Sequence, residues 1–170
     1  MSRPSLPEMF LQVAEVVATR STCDRLHVGC IVTNREMTSV LSMGYNGNAR
    51  GLPNGCSTDT PGNCGCDLHA EVNALIKAPY DERNLVMFCT HSPCRACAKA
   101  ILNSKVRSVI FAQFYRSNEG LEILDQGHVE ALTRAIVPPD HQGRGLITLM
   151  DRGFSEGDLI DWRLALAIRT

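Results

Sequence analysis

The 170-residue sequence is poor in aromatic residues, nearly neutral and without a long apolar run, and each absence excludes something. Lys and Arg number 17 against 18 Asp and Glu, a formal charge of −1, so nothing draws the chain to nucleic acid or to an anionic membrane in general. An anionic ligand should be small and met by a few local arginines. Aromatics at 5 % offer little for stacking on a strand of bases. No stretch approaches the roughly 18 apolar residues that span a bilayer. Met1-Ser2-Arg3-Pro4-Ser5-Leu6-Pro7 leads into an amphipathic segment rather than a signal-peptide block, so the expected location is the cytoplasm. With 44 % apolar and 21 % charged residues the balance is globular, and the length suits a single domain with a sizeable core.

Apolar periodicity divides the chain into alternating helices and strands. Phe10, Val13, Ala14 and Val17 recur at helical spacing, which predicts a helix over 7–20. Short apolar runs at 28–33 and 39–45 flank Asn34-Arg35-Glu36 and read as a hairpin. Residues 46–66, rich in Gly, Asn, Pro and Cys, read as a loop long enough to need a function or a brace. A helix is expected over 69–77, a strand over 85–90, a helix over 94–103 and a strand over 106–114. That strand–helix–strand run implies a parallel crossover. The expected fold is α/β, one central mixed sheet covered by helices. Leu159 to Ile168 reads as a closing helix with the sole tryptophan.

Cysteine is abundant, eight in all, and in a reducing compartment that usage favours metal or catalysis over disulfides. Cys30 and Cys89 lie inside apolar runs and read as small buried apolar residues. Cys94 and Cys97 do not. They follow Pro93 at a helix start, where exposed N–H groups favour thiolates, and His69 opens another helix. A Cys-x-x-Cys alone would equally suit a structural zinc half-site or a redox pair. Joined to His69-Ala70-Glu71 it gives three zinc ligands and one carboxylate outside the coordination shell. Zinc held by His69, Cys94 and Cys97 keeps a fourth position for water, which then ionises near neutral pH. Glu71 is placed to move protons, and the H-x-E…P-C-x-x-C pattern is that of zinc nucleobase deaminases. Ala70, Leu68, Ser92 and Pro93 would line the mouth.

Further blocks narrow the family. Ser21-Thr22-Cys23-Asp24-Arg25-Leu26-His27-Val28-Gly29, Gly44-Tyr45-Asn46-Gly47, His69-Ala70-Glu71-Val72-Asn73-Ala74 and Thr90-His91-Ser92-Pro93-Cys94-Arg95-Ala96-Cys97 resemble, in order, the deoxycytidylate deaminase family. The resemblance covers about residues 10–125. It implies a cytidine-deaminase-like three-layer α/β/α fold and zinc-dependent hydrolysis of dCMP to dUMP and ammonia, which supplies thymidylate synthesis. It further implies homo-oligomers, commonly hexamers, with dCTP and dTTP as effectors. The turn after Gly47 departs from the family: Asn48-Ala49-Arg50-Gly51 follows, and Pro53 comes late. Residues 128–170 form a divergent C-terminal portion of the single deaminase domain, 1–170.

Four substrate contacts are expected. Asn46 reaches toward sugar and base in the family, though Asn-Gly also serves as a tight turn. Ala70 would offer its backbone N–H to the base. Arg25 could take the 5′-phosphate bidentately or be a solvated surface arginine. Tyr115 could pack against base or sugar, or simply fill the core. Deaminases of dCTP, of a modified dCMP, of another nucleobase or of a polynucleotide share this zinc chemistry, and a zinc-stabilised binding module without turnover is the rival from another class. Glu71 argues against that last reading, because a structural site needs no proton shuttle.

Cys23, Cys56, Cys64 and Cys66 lie in or beside the long loop. They could close a second, structural zinc site, as in some phage relatives, or remain unliganded thiols. Metal analysis of the purified protein should give about two zinc per chain if all four are ligands; a reproducible value of one removes the second site.

Overall fold

The computed structural model describes residues 3–54, 68–134 and 158–169. Helix α1 spans Leu6–Ala18; Ser5 caps it, its hydroxyl accepting the Glu8 N–H, and Pro7 sits in the first turn, where a missing N–H costs nothing. Strands β1 (Gly29–Thr33) and β2 (Val40–Tyr45) form the expected antiparallel hairpin. Helix α2 (Ala70–Lys77) leads to β3 (Leu85–His91), α3 (Arg95–Leu102) and β4 (Val106–Gln113). The β3–β4 pair is parallel, as the crossover requires.

Two elements after Gln113 were not anticipated. Helix α4 (Glu119–Gln126) and strand β5 (Glu130–Arg134) make a second parallel crossover onto β4. The segment expected as one closing helix is divided. Leu159–Asp161 forms β6, antiparallel to β5, and the helix α5 begins only at Trp162 and runs to Arg169. The physical reason is twofold. Pairing with β5 satisfies the backbone of 159–161, and the Asp161 carboxylate then accepts the Arg163 N–H at 2.8 Å, which caps the new helix.

The sheet order is β2-β1-β3-β4-β5-β6. On one face α1 contributes Phe10, Leu11, Ala14 and Val17 to a core with Ile31, Val86, Phe88 and Ile110. On the other, Ala70 and Ala74 of α2, Ala98 and Ile101 of α3, Leu121 and Leu124 of α4 and Trp162 of α5 pack on Cys30, Met87, Cys89, Val109 and Phe111. This is the three-layer α/β/α arrangement. Covered on both sides, β1 is buried throughout and β3 nearly so, and such strands read as continuous apolar runs. Cys30 and Cys89 are fully buried cross-strand neighbours with Sγ atoms 3.5 Å apart; the hydrogen bond between them, with burial, pushes the Cys89 thiol up, so both serve as core. No helix among the described residues is long and apolar enough to cross a membrane.

What matters for function is how tightly α2 is seated on β2. The Ser42 hydroxyl donates to Ala74 O at 2.9 Å, and the Asn73 amide donates to Tyr45 O at 2.9 Å. Between them the helix crosses Gly44 so closely that a Cβ there would meet Ala70 O at 2.3 Å and Ala74 N at 2.5 Å. Gly44→Ala should therefore cost about 2 kcal/mol of stability by overpacking, read as a lower urea midpoint of the zinc-loaded protein; an unchanged midpoint would show that α2 is free to shift.

Candidate functional site

The two helices that bear the motif start at the same place. His69 is the N-cap of α2 and Cys94 the N-cap of α3, both with extended backbone, and neither side chain caps its own helix. Cys97 lies in the first turn of α3. The side chains are thereby left to each other: His69 Nδ1 stands 3.2 Å from Cys97 Sγ and 3.4 Å from Cys94 Sγ, and all three donor atoms lie within 4.8 Å of one another. A tetrahedral zinc with sulfur at about 2.3 Å and nitrogen at about 2.0–2.1 Å sets nitrogen–sulfur separations near 3.5 Å. The donor set therefore fits zinc, with Nδ1 as the imidazole ligand.

Charge in this cluster is governed by hydrogen bonds and burial. The Cys94 thiol has its pKa lowered to about 3, chiefly by the hydrogen bond from Cys97 and further by His69. Cys97 moves the opposite way, held up by that same hydrogen bond, by burial and by the nearby Glu71. Glu71, in the first turn of α2, is buried, and burial raises its pKa above the usual carboxylate range against the pull of its backbone hydrogen bond and of His69. A carboxylate so placed is a competent proton carrier.

These groups open onto a cavity of about 470 Å³, and Arg25, Asn46, Ala70, Glu71 and Tyr115 all line it beside His69 and Cys94. Ser92 also lines it, as expected for the mouth, while Leu68 and Pro93 do not. His91 and Arg116 are lining residues that the sequence did not single out; the Arg116 guanidinium lies 5.4 Å from the Tyr115 ring centroid. The Ser92 hydroxyl accepts the Tyr115 N–H at 2.8 Å, and its own N–H donates to Gln113 O at 2.8 Å, which fixes this corner.

Asn46 has a structural task whether or not it meets a ligand. Its Oδ1 accepts the Val28 N–H and the Ser21 hydroxyl, each at 2.8 Å, and its Nδ2 donates to Leu26 O at 2.8 Å. One Nδ2 proton is left over from the amide's inventory. Neither Asn46 nor Gly47 has positive φ, so the tight-turn alternative is not what this pair supplies. Instead the amide ties the α1–β1 loop, with Arg25 on it, to the end of β2. The Gly47 N–H donates to Leu68 O at 3.1 Å, which brings the two ends of the long loop together next to His69. Cys23 is buried and lines the cavity; Cys56, Cys64 and Cys66 lie outside the described residues.

The sequence model of the cytidine and deoxycytidylate deaminase zinc-binding region matches residues 4–113. The chain belongs to that family. It is 36 % identical over 131 residues to the deoxycytidylate deaminase of Saccharomyces cerevisiae, covering 70 % of this chain and 41 % of the yeast protein. It thus spans under half the length of the yeast relative. The deoxycytidylate deaminase of Mycobacterium phage D29 is 35 % identical over 129 residues, 65 % of this chain and 97 % of the phage protein. Among solved structures, the dCMP deaminase of cyanophage S-TIM5, in complex with dCMP and dUMP, superposes with a TM-score of 0.70 at 34 % identity, over 78 % of this chain and 99 % of that one.

Proposed function

We propose that the protein hydrolyses dCMP to dUMP and ammonia. The observation that carries this reading is one cavity lined by Glu71 and by His69 and Cys94 of the His69–Cys94–Cys97 donor set, together with Arg25 and Arg116, that is, the donors of a zinc-dependent deamination centre and two guanidinium groups suited to a phosphate. The S-TIM5 enzyme, bound to dCMP and dUMP, and the deoxycytidylate deaminases of yeast and phage support the same substrate.

His69, Cys94 and Cys97 would hold the zinc, whose chemistry when bound is to bring the ionisation of water close to neutral pH. Glu71 does the proton work: it takes a proton from the attacking water, hands it to N3 of cytosine, and returns one to the departing amine. The reaction balances as dCMP plus water giving dUMP plus ammonia. Ala70, as the first residue of α2, has a backbone N–H without a partner inside the helix, and it serves the base. Asn46 adds its remaining Nδ2 proton. Arg25 and Arg116 take the 5′-phosphate at the rim, where Tyr115 flanks the sugar. Homo-oligomeric assembly, response to dCTP and dTTP, and a brace of Cys23 with Cys56, Cys64 and Cys66 around a second zinc belong to the same reading.

An ultraviolet assay of the zinc-loaded protein with dCMP, dCTP, deoxycytidine, cytosine and guanine tests it. Turnover should be fastest with dCMP, and Glu71→Gln should keep its zinc while losing at least about a hundredfold in kcat. A preference for dCTP or for an unphosphorylated substrate overturns the dCMP assignment; no turnover of any favours a binding module.

A further inference from the structure

His91 is a titratable residue of the cavity to which the proposed reaction assigns no task. It closes β3, and because strand residues alternate between faces it shares the face of Met87 and Cys89, on which α2 and α3 pack. The ring is half-buried and lines the cavity with Glu71 and Arg116. Its neighbour Thr90 bears on the ring's tautomer. The Thr90 hydroxyl oxygen is buried, accepts the Gly29 N–H at 3.2 Å and lies 3.1 Å from His91 Nδ1. A backbone N–H can only donate, so the arrangement that gives the Thr90 proton an acceptor among these contacts is the one in which the hydroxyl donates to Nδ1. In that arrangement Nδ1 is the bare nitrogen of the imidazole and the ring proton lies on Nε2. Burial supports the neutral ring by lowering its pKa. Among the described residues, Nε2 has no protein partner.

The position of the ring says what it meets. His91 pairs in register with Gln113, and Ser92 beside it holds the Tyr115 N–H, so the end of β3 that carries the ring lies by the Tyr115–Arg116 corner, and ring and arginine line the same cavity. A neutral ring that presents only an N–H to the cavity takes no proton from a ligand; it recognises an oxygen. We propose that His91 is a specificity-determining residue that donates its Nε2–H to an oxygen of the sugar–phosphate part of the bound nucleotide, with Thr90 as the positioning residue that sets its tautomer. This inference rests on the nucleotide reading above.

The test combines nitrogen-15 resonances of the His91 ring with steady-state kinetics, both on the zinc-loaded protein. At neutral pH the wild-type ring should show a bare Nδ1 and a protonated Nε2; Thr90→Ser should keep that pattern and Thr90→Val should mix the tautomers. With dCMP, His91→Leu should raise KM roughly tenfold with kcat little changed, the loss of one hydrogen bond to a charged or polar oxygen. His91→Gln, which keeps an N–H donor, should recover most of that. A ring protonated on Nδ1 or on both nitrogens overturns the inference. So does a His91→Leu variant that loses kcat at constant KM, or a glutamine no better than leucine. A wild-type protein inert toward every nucleotide overturns the nucleotide reading and with it the sugar–phosphate partner, whereas the tautomer is decided by the nitrogen resonances alone.

Discussion

Two helix N-termini have to meet for this site to exist, and most of the surrounding structure enforces that meeting. Because His69 and Cys94 are caps, their side chains leave the helix ends and not the helix walls, and the distance between the helix starts decides whether Nδ1 reaches the two sulfurs. The start of α3 is set by the β3–α3–β4 crossover, a rigid unit of parallel pairing. The start of α2 is set from β2 by the bare backbone of Gly44, flanked by the Ser42 and Asn73 hydrogen bonds. A third element presses on the same place: a Cβ on Gly120, in the first turn of α4, would meet Pro93 O at 1.9 Å. Glycines at these two contacts are what allow the backbones to approach.

Electrostatics completes the constraint. Two sulfur ligands and a carboxylate share a largely buried cluster with one imidazole, and three negative charges there would be costly to desolvate without compensation. Burial and the neighbouring groups accordingly push both the Cys97 thiol and the Glu71 carboxyl up. A divalent cation removes the conflict, since its charge stabilises both thiolates outright. The site is thus shaped for a cation by its charge as well as by its distances, and Glu71 is left as the group whose proton can move.

The chemistry of the site was legible because it is local. His69, Glu71, Cys94 and Cys97 sit in two short segments whose spacing carries the geometry, and β3, α3 and β4 announce themselves as apolar runs separated by Pro93 and Asn103. The rest depends on contacts between distant residues. Asn46 acts on Ser21, Leu26 and Val28, 18 to 25 positions away, so this structural task was not visible from sequence. Helix α4 buries Leu121 and Leu124 fully, with Ile123 partly covered, too brief a pattern to stand out. Strand β6 exists only because β5 is there to pair with it. His91 gave no signal of its own beyond its place before the Pro93–Cys97 segment; what distinguishes it is the Thr90 hydroxyl, whose role appears only when Gly29 is seen to donate to it.

The central claim is an ion held by three protein atoms at the junction of α2 and α3, with the fourth position open. A crystal of the zinc-loaded protein, measured at the zinc absorption edge, addresses it directly. An anomalous peak is predicted about 2.3 Å from the Sγ atoms of Cys94 and Cys97 and about 2.0–2.1 Å from Nδ1 of His69, with Glu71 outside the coordination shell and no fourth protein ligand. No peak there, or a sphere closed by Glu71 or another side chain, would contradict the account.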